Sequence, residues 1–176
     1  VRDAVKDGAT LGLSVDTGTT CLEASDVAKS LGFDLMITDH HLPDKVLPSA
    51  FALLNPARED CGFAERVLCG TGVAFFLLMA TWKVLAERGQ RPAYDLKQLL
   101  DRVAMATVAD VMLLQGVNRV LVHYGLVQLR TSPSVGMSAL LDIAKVNRQR
   151  ITTETIGFYL APRINAAGRM RHGEEA

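Results

Sequence analysis

Cysteine is scarce and unpaired in this sequence: Cys21, Cys61 and Cys69 are odd in number, and none stands in a C-x-x-C spacing. That excludes a disulfide framework and a thiolate zinc knuckle, and it fits a reducing, cytoplasmic setting. Aromatic residues make up only 6% against 49% hydrophobic overall, so an aliphatic core is expected. Nineteen basic residues cancel nineteen acidic ones, so bulk charge selects no class of partner. No signal peptide opens the chain. The longest apolar stretch, residues 73–80, is too short to span a bilayer, so no membrane is expected. Low-complexity tracts and internal repeats are lacking. At 176 residues the chain suits one domain or slightly more and can bury a real core.

Charge is unevenly spread. Residues 1–60 carry ten Asp/Glu against five Lys/Arg, whereas residues 145–172 carry six Lys/Arg against Glu154 alone. An acidic pole suits metal and a basic pole suits phosphates. The most informative local feature lies in the acidic part. Asp39-His40-His41 follows the apolar run Asp34-Leu-Met-Ile-Thr38. Such runs read as buried parallel strands, and ligands in open α/β sheets gather at their carboxyl ends. A second run, Leu11-Gly-Leu-Ser-Val15, ends at Asp16, and Ala106-Thr-Val-Ala109 ends at Asp110.

The pattern predicts an α/β fold, with a parallel sheet of βαβ units in the N-terminal half followed by a mostly helical half. Strands are expected at 11–15, 33–38 and 51–54, with a right-handed βαβ crossover. Thr20 and Glu23 fit a capping box for the first long helix, which Gly32 stops. A buried helix is expected over 73–88, ended by Gly89, then helices over 96–103, 118–130, 138–146 and 153–160. Pro162 is expected to break the pattern, leaving residues 163–169 as loop or strand. The chain divides into a metal-binding α/β part, 1–69, and a mainly helical part, 70–176, that ends in an arginine-rich motif.

Ligand hardness directs the chemistry. Carboxylates with one or two imidazoles suit Mn2+ or Mg2+ better than zinc. Two such ions about 4 Å apart clamp a phosphodiester and activate water for in-line attack. Asp16 is the candidate bridging ligand, with His40 and Asp110 as terminal ligands. Asp39 is expected to orient the loop or an imidazole, and His41 to face the phosphate and relay a proton. A lone Asp after a strand is more often a turn former, so Asp16 and Asp110 gain weight only beside the His pair. His123 and His172 receive no role, Asp101 and Asp142 read as helix-surface charges, and Gly70-Thr-Gly72 lets a helix start against the sheet.

These motifs resemble the DHH phosphoesterase superfamily and, within it, the RecJ-type single-strand-specific exonucleases. The resemblance rests on Ile37-Thr-Asp-His-His-Leu-Pro43, Leu54-Asn-Pro-Ala-Arg58 with Asp60-Cys61, and Gly70-Thr-Gly-Val-Ala-Phe75. It continues through Thr107-Val-Ala-Asp-Val111, Asn118-Arg119 and Ile156-Gly-Phe158 into Pro162-Arg-Ile-Asn-Ala-Ala-Gly-Arg169. It implies a 5′-to-3′ exonuclease acting on single-stranded DNA with two Mn2+ or Mg2+ ions, in repair and recombination. A single-strand-binding protein or a helicase is the protein partner it implies. Carried over by motif, Asp16 matches the bridging acid, His40 a ligand, His41 its phosphate-facing partner and Asp110 the fourth-motif acid. Arg163, Asn165 and Arg169 match the stretch lining the nucleic-acid path, where guanidinium forks suit phosphate oxygens.

Two departures qualify the match. The family's Asp-x-Asp first motif is expected upstream of Val1, and its second domain beyond Ala176. The chain therefore reads as a middle piece, inactive by itself. Asp16-Thr17-Gly18 stands where the family has Asp-Asn-Gly. A small-substrate phosphoesterase of the same superfamily is the alternative, taking short oligonucleotides, cyclic dinucleotides or pyrophosphate. A non-catalytic replication scaffold is the third reading, disfavoured because Asp16, His40, His41 and Asp110 are all retained.

Overall fold

The structure is a computed structural model that describes residues 1–64, 66–90 and 94–170, the side chains of 167–170 excepted. Two compact units divide the chain, Val1–Leu77 and Leu78–Ala176. The first opens with a short helix, α1 (Arg2–Lys6), then β1 (Leu11–Val15), α2 (Leu22–Ser30), β2 (Asp34–Thr38) and β3 (Ala52–Leu54). The strands form a parallel sheet in the order β1-β2-β3, as the aliphatic runs predict. Its register sets Val15 beside Thr38 and Thr38 beside Leu54. All three strands therefore stop at one level, and the residues that follow them emerge side by side. Backbone bonds extend the alignment past the strand ends: Asp16 N–H donates to Thr38 O at 2.9 Å and Asp39 N–H to Leu54 O at 3.0 Å.

Central β2 buries Ile37 and Thr38, whereas β1, at the sheet edge, leaves Leu11, Leu13 and Val15 exposed on one face. That differs from the buried strand expected of such a run. The expected capping box also fails. Helix α2 starts at Leu22 after N-cap Cys21, with no side-chain cap. The turn before it is held otherwise, because Cys21 N–H bonds Gly18 O and Thr19 N–H is taken by Asp39.

Helix α3 (Gly70–Glu87) buries Gly70, Gly72, Val73 and Phe75 at its start. The sequence expectation counts only its apolar stretch. As folded, its 18 residues with mean hydropathy 1.2 are long and apolar enough to cross a membrane by length and composition, a property shared by core helices of soluble proteins.

The second unit holds α4 (Leu100–Ala109), α5 (Gly116–Thr131), α6 (Val135–Ile143), a π-helix (Thr155–Leu160) and α7 (Ala161–Met170). Its core is aliphatic, built on Ala104, Met105, Val122, Leu129, Leu141, Ile151, Ile156 and Leu160. Two expectations are corrected here. Residues 163–169 are helical rather than loop or strand: α7 runs on directly from the π-helix, and the widened π turn just before Pro162 is the kind of irregularity that accommodates a proline inside a helix. Asp101 is not a surface charge. It is fully buried, and its carboxylate accepts the N–H groups of Ser134 at 2.9 Å and Arg102 at 2.7 Å, tying the start of α6 to α4.

Helices α4 and α5 cross at Gly125. A Cβ there would lie 2.3 Å from both Ala104 Cβ and Leu100 O, and neither obstacle can rotate away. Overpacking of this kind costs roughly 1–3 kcal/mol or more, which outweighs the gain of about 1 kcal/mol in helix propensity. Gly125→Ala should lower the chemical-denaturation midpoint markedly, whereas Gly136→Ala, with nothing within 4 Å, should leave it unchanged or raised. Equal midpoints for the two variants would disprove the close crossing.

Candidate metal centre

The site forms where the strand ends are level. Asp16 directly follows β1 and adopts φ 64°, in the left-handed region. Asp tolerates that region better than most residues, but it still costs roughly 1–2 kcal/mol, so the surroundings must hold it. Its carboxylate Oδ1 lies 3.2 Å from His40 Nε2. The His40 and His41 rings stand 4.5 Å apart, centroid to centroid, at 51°. One donor atom from each of Asp16, His40 and His41 falls within 4.8 Å of the others.

Asp39 organises the histidines from beneath. It is 1% exposed, and its Oδ1 accepts the N–H of His40 at 2.8 Å and of His41 at 3.3 Å. Its Oδ2 accepts the N–H of Thr19 at 2.9 Å. Burial by itself would raise the Asp39 pKa. The Thr19 N–H, the His41 side chain and the His40 N–H outweigh it, holding the carboxyl well below the ordinary carboxylate range. Asp39 is therefore ionised at neutral pH and can only accept. His41 Nδ1, 2.7 Å from Asp39 Oδ1, must then carry the proton of that contact.

Two residues outside the predicted site set complete the cradle. Asn55, nearly buried after β3, donates through Nδ2 to His41 O at 2.8 Å and to Thr19 Oγ1 at 2.9 Å. Its Oδ1 accepts Ala57 N–H at 2.8 Å. Arg58 steadies the same turn through Leu53 O at 2.7 Å and the Asp60 carboxylate. An Asn-Pro pair after an apolar run signals a turn, but its partners lie on other segments and give no local sign. Gly70 is the other such residue, lying against Asp16 at the start of α3.

The structure thus brings together Asp16, Asp39, His40 and His41 within the first unit. Asp110 belongs to the second unit, where it caps the C-terminal end of α4 and is followed by Val111 at φ 55°. Arg163 and Asn165 are exposed on α7, and Arg163 Nη1 donates to Tyr159 O. Two residues apart on a helix, they do not share a face. Arg169 stands four positions after Asn165, the spacing of one helix face, but its side chain lies outside the described residues. The donor set, a carboxylate and imidazoles with no thiolate, fits Mn2+ or Mg2+.

Comparison with known proteins agrees with this picture. A family model described as "DHH family, N-terminal domain" matches residues 2–107. The "Single-stranded-DNA-specific exonuclease RecJ" of Escherichia coli (strain K12) is 40% identical over 176 residues, covering 97% of this chain and 30% of its own length. A crystal structure of exonuclease RecJ bound to manganese superposes with a TM-score of 0.80 at 31% identity, over 99% of this chain and 43% of that one. RecJ in complex with Mn2+ from Thermus thermophilus gives 0.79 at 32%, over 99% of this chain and 26% of that one. The chain therefore spans about 30% of the length of the curated relative described.

Proposed function

The chain belongs to the DHH family, and on that premise we propose that it supplies the central part of the catalytic domain of a 5′-to-3′ exonuclease that hydrolyses phosphodiester bonds of single-stranded DNA. One observation carries the reading: Asp16, His40 and His41 converge their donor atoms within 4.8 Å at the level ends of adjacent parallel strands. Mn2+ or Mg2+ held there supplies the positive charge that polarises a phosphoryl oxygen. Asp16 and His40 are the donors. His41, with Nδ1 pinned on ionised Asp39, offers Nε2 to the phosphate or to a proton in transit. Asp110 keeps its place in this reading as a further acid on the sequence motif alone. Arg163, Asn165 and Arg169 are phosphate contacts along the strand's path. In helical α7, Arg163 and Asn165 fall on different faces. A cytoplasmic role in repair and recombination, beside a single-strand-binding protein or a helicase, extends the same reading.

Cleavage preference tests it. With Mn2+, the complete protein should degrade a long single strand from its 5′ end at least about tenfold more efficiently than a dinucleotide, a difference of about 1.4 kcal/mol in transition-state binding. A faster turnover of the dinucleotide would replace this reading with that of a small-substrate phosphoesterase.

A further inference from the structure

Asp16 sits in the left-handed region, at φ 64°, which a non-glycine residue adopts only at a cost. The contact that confines it comes from the first residue of α3. A Cβ built on Gly70 would lie 2.2 Å from Asp16 Oδ1, 2.6 Å from its Cβ and 2.7 Å from its Cα. The space where any other residue would place a side chain is thus filled by Asp16 itself. One of the three blocking atoms is backbone, so a side-chain rotation could not relieve the clash. Gly72, two positions further along the same helix, is different: a Cβ there meets Leu68 at 3.4 Å and Cys69 Sγ at 3.7 Å, ordinary contact distances.

We propose that Gly70 is the positioning residue for Asp16. By lacking a side chain it lets the end of α3 close over the strand end and hold the carboxylate toward His40 Nε2, 3.2 Å away. This rests on the reading of Asp16 as a metal donor, and it makes a glycine at the helix start part of what sets metal affinity.

The test uses Gly70→Ala, Gly72→Ala and Asp16→Asn in the complete protein, with Mn2+ affinity read by calorimetry and by the electron paramagnetic resonance signal of free Mn2+. Far-UV circular dichroism reports the fold. Gly70→Ala should keep the fold, weaken Mn2+ binding by about ten- to a hundredfold, as loss of a supporting group around a metal does, and regain activity as Mn2+ is raised. Gly72→Ala should bind Mn2+ as wild type does. A folded Gly70→Ala protein with wild-type affinity overturns the proposal. If Asp16→Asn keeps full affinity, the parent reading of Asp16 falls instead, whatever Gly70 does. Should Gly70→Ala fail to fold, Asp16→Gly in the same chain, which removes two of the three clashes and frees φ, is expected to restore folding. Failure of that rescue counts against the proposal.

Discussion

Asp16→Ala in the complete protein is expected to abolish metal binding and strand hydrolysis together, with turnover falling by about a thousandfold or more, roughly 4 kcal/mol of lost transition-state stabilisation. The size follows from charge. Asp16 contributes the carboxylate of the cluster, and the other two donors are imidazoles. Without it the three converging donors carry no negative charge to offset the repulsion of two cations held close together. The fold should survive, because the Asp16 side chain is 61% exposed and its backbone N–H bond to Thr38 does not depend on it. Asp16→Asn is the cleaner variant, since Asn also tolerates the left-handed region while removing the charge. Calorimetry paired with single-turnover cleavage checks the claim. Persisting turnover would mean that Asp16 is not the bridge.

The two histidines should fail differently. His40 Nε2 already faces Asp16 Oδ1, so His40→Ala should lose metal affinity first. His41 is tethered through Nδ1 to Asp39, which orients Nε2 to take up a proton and, once protonated, to donate to a phosphate oxygen, so His41→Ala should keep metal and lose turnover by about a hundredfold. The proximity of His41 to the other donors permits a second outcome. Equal loss of Mn2+ affinity in both variants would make the pair joint ligands and reject the division of labour. Binding titrations run beside the pH dependence of turnover separate the two cases.

Much of this arrangement is legible in the sequence. Short aliphatic runs that stop at Asp16, Asp39 and Asn55 announce parallel strands, and the parallel rule then places those residues at one edge. Gly70 can be read as a residue that lets a helix start against the sheet. Its actual neighbour cannot, because the Gly70–Asp16 contact joins segments far apart in the chain and depends on the unusual φ of Asp16. The capping box fails for a related reason: Asp39 claims the Thr19 N–H, so the turn into α2 is shaped by a tertiary contact that local propensity does not register. Pro162 misleads in the opposite way. A proline reads as a break, yet here it follows a π-helical turn inside a continuous helix, whose irregular hydrogen bonding accommodates it. Asp101 defies its pattern because a carboxylate on a helix is usually solvated, whereas this one accepts an N–H at the start of another helix.

The level strand ends have a consequence for how such a chain can change length. Because Asp16 and Asp39 are placed by counting residues along β1 and β2, deleting one residue within β2 would turn Ile37 and Thr38 to opposite faces and carry the histidines away from Asp16. Insertions in the exposed stretch between His41 and β3, where Leu42 and Val46 face solvent, alter no register and need close only a slightly longer loop. Length variation tolerated by this site is thus confined to the connections, and each strand acts as a ruler whose last mark is a functional residue.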